Sequence, residues 1–261
     1  MTAFLRILRA ELRDVLRSRW LPGYAVLFLV LTDLLFRFGG SGDRVLLSLL
    51  NVVLLLVPLV SIVVGTMHLY QSREFVELLL SQPVGRRALF GALWLGLTVP
   101  MALAFVAGVG LPFLWHGTGG AGGTLVTLLL VGAALTAVFT ALAYLLAVSF
   151  QDRAAGLGAA ILVWLLLAVV YDGMILVGTA IFANYPIETP VLAAVVLNPI
   201  DLARVLLLLK VDIAALMGYT GAVFERFFGS SRGLVISSLA LALWVALPAW
   251  LGMRRFVRKD L

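Results

Sequence analysis

Long apolar runs separated by short polar stretches set the pattern of this chain. A helix that crosses the hydrocarbon core of a bilayer needs ~20 mostly apolar residues. By that measure the pattern predicts six spans, near Leu21–Phe38, Val45–Leu69, Ala88–Trp115, Thr124–Phe150, Ala154–Phe182 and Gly233–Gly252. No alternation of period two with regular turns runs through them, which excludes an outer-membrane barrel. Ahead of the first span, Thr2–Arg19 has a different rhythm. Phe4, Leu5, Leu8, Leu12 and Val15 form an apolar stripe, and Arg6, Arg9, Arg13 and Arg17 form a basic one. That is the pattern of an amphipathic helix lying on an anionic leaflet. The basic region is too long for a signal peptide, and no small-residue cleavage site follows.

Three further places depart from the apolar background. Tyr70–Arg87 lies between the second and third spans, and Ser72–Ser81 within it reads as a short amphipathic helix. Phe75, Leu78 and Leu79 share one face at i, i+3 and i+4, with Arg73, Glu74, Glu77 and Ser81 on the other. Pro83 ends the helix because the residue before a proline is pushed out of the helical region. Gly85 lets the chain turn, and Arg86 and Arg87 hold it at a membrane surface. Such a helix either anchors the chain at the interface or presents its carboxylates to a soluble partner.

The second place is Asn184–Arg232, too long to be an idle connection. Asn198 can cap a helix with Pro199 at its first position and Asp201 at its third. Leu202, Val205, Leu206 and Leu209 then share a face. Short helices dipping into the outer leaflet as a lid over the spans are expected. The third place is Asp172–Gly173 in the fifth span. A carboxylate at that depth marks a pathway residue, a break in the helix, or a side chain bonded by Tyr171 or a neighbouring helix. Asp33 and Arg37, at i, i+4 near the end of the first span, predict an ion pair. Pro100 and Pro112 predict a kinked third span.

Composition sharpens the class. The 261 residues are 63% hydrophobic and 12% charged, too little polar surface for a soluble domain of this length. The expected fold is an all-α integral membrane protein. The net charge of +6 comes from arginines beside the spans, which speaks for topology and against a nucleic-acid partner. The positive-inside rule puts both termini and Tyr70–Arg87 in the cytoplasm. There is no cysteine. The only lysines, Lys210 and Lys259, fit no phosphate-binding GxxxxGK[ST] motif. His68 and His116 are the only histidines, expected on opposite sides of the membrane as hydrogen-bonded structural residues, with Met67 beside His68. No catalytic set and no metal site is expected in the chain, and no cofactor of its own.

The order of parts is an interfacial helix, two spans, a short cytoplasmic helix, and four more spans with a structured outer segment before the last. It resembles the permease subunit of a type-two ABC exporter. The most specific stretch is EFVELLLSQPVGRRALFGALWLG, Glu74–Gly96, which is similar to that family's LLSxPVxRxxLF region. The resemblance implies a homodimeric membrane subunit driven by a separate cytoplasmic ATPase, with ATP and magnesium held by that partner. Arg73, Glu74, Phe75, Glu77, Leu78 and Ser81 would then couple to the ATPase, and Asp172, Asn198 and Asp201 are candidate pathway or gate residues. Together with Asn198–Gly233, the likeness also implies a periplasmic partner and a role in maturing the copper centres of nitrous oxide reductase. Two other classes compete. An ATP-independent carrier should show internal repeats with matching midplane charges. A structural membrane anchor would leave Ser72–Ser81 without a role.

Overall fold

The computed structural model describes residues 3–81, 84–118, 120, 122–182, 188–208 and 231–258. The expected Pro83 helix stop and residues 183–187 and 209–230 of the outer segment, Leu209 and Lys210 included, lie outside them. The described residues form helices and their connections, with no strand among them. Six helices are long and apolar enough to cross a membrane. In chain order these are α2 (Trp20–Gly39), α3 (Gly42–Gln71), α5 (Arg86–His116), α6 (Gly122–Ser149), a fifth span built from α7 and α8, and α11 (Ser231–Arg258). Each matches the stretch expected from the apolar pattern to within a few residues at either end; the fourth and fifth stop one residue short of the expected Phe150 and Phe182.

α6 is the centre of the bundle. It packs against α3, α5 and α11, and 61% of its apolar window is buried. The contacts are apolar layers pinned by a few hydroxyls. Trp94 Nε1 donates to Thr140 Oγ1 at 3.2 Å, and Thr98 Oγ1 lies 2.8 Å from the same oxygen. The fully buried Tyr144 hydroxyl donates to the Leu93 carbonyl at 3.0 Å. Such bonds matter in lipid, where an unsatisfied polar group has no water to turn to. α2 joins through α5: Phe28 meets Phe105 edge to face at 5.2 Å, and Phe36 meets Phe113 at 4.7 Å. α5 continues as one helix through both Pro100 and Pro112.

The fifth span is interrupted. α7 (Arg153–Leu165) passes into a π-helical turn, Leu166–Val170, and resumes as α8 (Tyr171–Ile181). The interruption lies just ahead of Asp172–Gly173, where a break is one of the expectations from sequence, in an apolar run with no local sequence signal. α9 (Glu188–Val196) and α10 (Pro199–Leu208) follow. Their Pro190–Val196 and Pro199–Leu208 parts are bent by 107°. α10 is a buried wedge: it packs on α3, α6, α11 and the π turn, with Ile200, Leu202, Ala203, Leu206 and Leu207 buried.

Before the first span, α1 (Ala3–Arg17) packs on α5. The buried edge of α1 is Ile7, Glu11 and Val15, with Phe4 and Leu8 half-buried beside them. Leu5, assigned to the apolar stripe from sequence, is exposed.

Candidate functional site

The singled-out residues fall into two groups at different places in the bundle. The first group gathers around α4 (Arg73–Leu80), which follows α3 after the single residue Ser72. Ser72 donates both its backbone N–H and its Oγ to the His68 carbonyl, at 3.0 and 2.9 Å, so α4 is tied to the last turn of α3. α4 docks through Val76, which is buried, and through Leu79 and Leu80, which are half-buried. This corrects the face inferred from sequence. Phe75 and Leu78 point outward, 42% and 67% exposed, beside the exposed Glu74, Glu77 and Ser81. The reason is geometric: apolar residues at 75, 76, 78, 79 and 80 make two overlapping stripes, and α4 packs on the 76/79/80 stripe.

Arg73 turns the other way. Its guanidinium donates to the carbonyls of Gln151 at 2.8 Å and Phe150 at 3.0 Å, capping the end of α6. It also lies 4.3 Å over the Tyr70 ring. The Tyr70 hydroxyl donates to the carbonyls of Phe150 and Asp152 at 3.1 and 3.2 Å. Gly156 is what lets the ring sit there, because a Cβ at that position would collide with it. The same end is laced by Arg86 Nη1 donating to the Val257 carbonyl at 3.2 Å and by Arg255 bonded to Ser149.

One pair at this end had no counterpart in the sequence reading. Glu11 of α1 is 5% exposed and its Oε1 lies 2.6 Å from His68 Nε2. Gly96 on α5 opens the space for it, since a Cβ there would meet the Glu11 side chain. The only signal in the chain is an acidic residue on the stripe that also carries Phe4, Leu8, Leu12 and Val15. His116, at the far end of α5, is held in the same way. It lies 2.8 Å from Asp33 Oδ1 and stacks on Phe36 at 4.7 Å. Arg37 donates to the other Asp33 oxygen at 2.7 Å, which is the expected i, i+4 pair. Both histidines are thus bonded to carboxylates.

The second group gathers Asp172, Asn198 and Asp201 into one network and adds Arg204. The Arg204 Nη1 donates to both Asp172 oxygens, at 2.8 and 2.7 Å, and to Asp201 Oδ1 at 3.1 Å. Asn198 is fully buried and is the N-cap of α10: its Oδ1 accepts from the Ile200 N–H at 3.0 Å. Its Nδ2 donates to Asp201 Oδ2 at 2.7 Å and to the Leu167 carbonyl at 2.8 Å. Leu167 lies in the π turn, where the changed bonding pattern frees a carbonyl for another donor. Tyr171 donates to the Ala194 carbonyl at 2.8 Å, closing the network onto α9. Asp172 is therefore bonded by a neighbouring helix. The cluster joins the interrupted span to the bent pair, and two carboxylates share one guanidinium. Asp172 and Arg204 remain part-exposed, with side chains 41% and 32% open, on a span whose apolar window is only 11% buried.

Among the described residues no group of three or more His, Asp or Glu side chains is placed to hold a metal ion.

No protein-family model matches the chain. Two curated relatives do, both called probable ABC transporter permease protein NosY. The one from Stutzerimonas stutzeri is 28% identical over 278 aligned residues, covering 97% of this chain and 95% of the relative. The one from Pseudomonas aeruginosa is 28% identical over 269, covering 94% and 92%. The chain is thus similar to NosY permeases along nearly its whole length and carries six helices long and apolar enough to cross a membrane, which supports a multi-pass membrane subunit for transport.

Proposed function

We propose that the chain is the membrane subunit of an ATP-driven ABC transporter. A separate cytoplasmic ATPase of the NosF kind, holding ATP and magnesium, docks on α4, and a NosD-like periplasmic protein meets the α9–α10 end. Both termini lie in the cytoplasm of a bacterial inner membrane. The observation that carries this reading is the outward pair Phe75 and Leu78 flanked by Glu74 and Glu77 on a helix fastened to α3 and to the end of α6. Apolar residues that the fold leaves bare on a rigid polar-rimmed helix suit a protein partner. α4 is braced so that force on it reaches the spans: Ser72 ties it to α3, and Arg73 to the end of α6.

A second copy of the chain completes the subunit. It covers the face of α7 and α8 where Asp172 and Arg204 stand part-exposed, because an ionic cluster facing lipid is costly. The network through Asn198, Asp201 and Arg204 then acts as the gate, since the π turn and the bent pair are the discontinuous elements of the bundle. The assembly serves maturation of the copper centres of nitrous oxide reductase, as the resemblance implies.

The alternative of an ATP-independent carrier draws on the same bent pair with ionisable residues beside it. Purification of the tagged chain from native membranes, followed by mass spectrometry, separates the two. The proposal expects a stoichiometric ATPase, two copies of the chain, and a periplasmic protein. Recovery of the chain alone, with transport intact after reconstitution, would overturn it.

A further inference from the structure

Where α1 gives way to α2, two adjoining cavities of ≈ 430 Å³ and ≈ 250 Å³ open on the flank of the bundle. They share Val15, Ser18, Trp20, Val64 and Leu97. The larger one continues between α2 and α3 over Leu27, Val60 and Met101 and is almost wholly apolar. It falls within the ~300–1,000 Å³ range of small-molecule sites. Its rim is bare, with Trp20 69% and Leu27 42% exposed. A tryptophan at the start of a span belongs at headgroup level. The slot therefore begins at the membrane interface and runs alongside the hydrocarbon.

Two opposite charges stand at its mouth. Arg19 borders the larger cavity and Asp14 the smaller, on either side of Ser18. Neither side chain makes a hydrogen bond or ion pair among the described residues. Arg6, Arg9 and Arg13 of α1 border a separate cleft. An apolar slot with an unpaired cation and an unpaired anion at its entrance is complementary to a molecule with both charges and a long apolar tail.

We propose that this elbow binds one phospholipid with a phosphoethanolamine headgroup. The phosphate accepts charge-assisted hydrogen bonds from the Arg19 guanidinium. The primary ammonium donates to the Asp14 carboxylate, and an acyl chain fills the slot against Leu27, Val60, Val64 and Met101. A choline headgroup has no N–H to give Asp14. A glycerol headgroup brings no cation there and leaves its negative charge facing Asp14.

The test uses the whole chain in mild detergent, equilibrated with vesicles holding equal phosphatidylethanolamine, phosphatidylglycerol and phosphatidylcholine, with retained lipid counted by native mass spectrometry. The expected result is one phosphatidylethanolamine per chain, retained roughly five-fold over either competitor, the scale of one net hydrogen bond. Asp14→Asn, on an exposed side chain, should erase the preference over phosphatidylcholine. Arg19→Gln should lower retention of all three, and Arg13→Gln should change nothing. Equal retention of the three lipids, preference for phosphatidylglycerol, or a preference that survives Asp14→Asn would overturn the proposal.

Discussion

The α4 end and the α9–α10 end solve opposite problems with the same kinds of residue. At α4 the charged Arg73 goes inward to cap another helix, while the apolar Phe75 and Leu78 are left outside. At α10 Leu202 and Leu206 of the expected face pack inward together with Ile200, Ala203 and Leu207, and the polar residues are satisfied by one another within the bundle. The polar network finds its hydrogen-bond partners within the chain, even where Asp172 and Arg204 are part-exposed. A bare apolar pair on a braced helix lacks one. The contrast sets a helix whose apolar side chains the fold leaves bare against a cluster that joins the interrupted helices of the bundle.

The largest effect on stability should come from breaking the internal network. Arg204→Leu leaves Asp172 and the almost fully buried Asp201 without their shared cation. Losing one member of a buried ionic group costs ~3–5 kcal/mol, and the part-exposure of Arg204 reduces this to about 2–3 kcal/mol. Thermal unfolding in detergent checks it, and adding Asp172→Asn to Arg204→Leu should recover part of the loss. An additive double mutant would mean that the two residues are not coupled.

Next in size is Asn198→Ala, which removes an N-cap and the donor to the π-turn carbonyl. The expected cost is about 1–2 kcal/mol, with ATP turnover losing its response to the periplasmic partner. Normal partner-dependent ATPase activity in a folded Asn198→Ala protein would show the join to be structural only. At the α4 end, Gly156→Val should push the Tyr70 ring off its two carbonyls and loosen the bracing of α4. About 1 kcal/mol of stability is expected to go with the lost bonds. Limited proteolysis near residue 72 should then accelerate while the rest of the bundle stays protected.

How far the sequence carried depends on the range of the interaction. Span positions, the Asp33–Arg37 pair and the Asn198 cap were legible because each is set by residues within a few positions of one another. Glu11–His68 and Asp172–Arg204 were not, since their partners stand 57 and 32 positions apart and meet only when helices pack. The π turn falls in LLAVV, which carries no polar, Gly or Pro mark. The docking edge of α4 was misassigned because five apolar residues in a six-residue stretch support two stripes, and packing against the apolar core selects one.

The smallest effect on stability should accompany the largest effect on assembly, and that pairing tests the central claim most directly. The measurement compares Phe75→Ala/Leu78→Ala with the unchanged protein, scoring unfolding and recovery of the cytoplasmic ATPase from the same membranes. Both side chains are exposed, so stability should stay within about 0.5 kcal/mol. ATPase recovery should fall at least about ten-fold, as expected when two apolar anchors are removed from an interface. Full recovery of the ATPase with the doubly substituted chain would contradict the account.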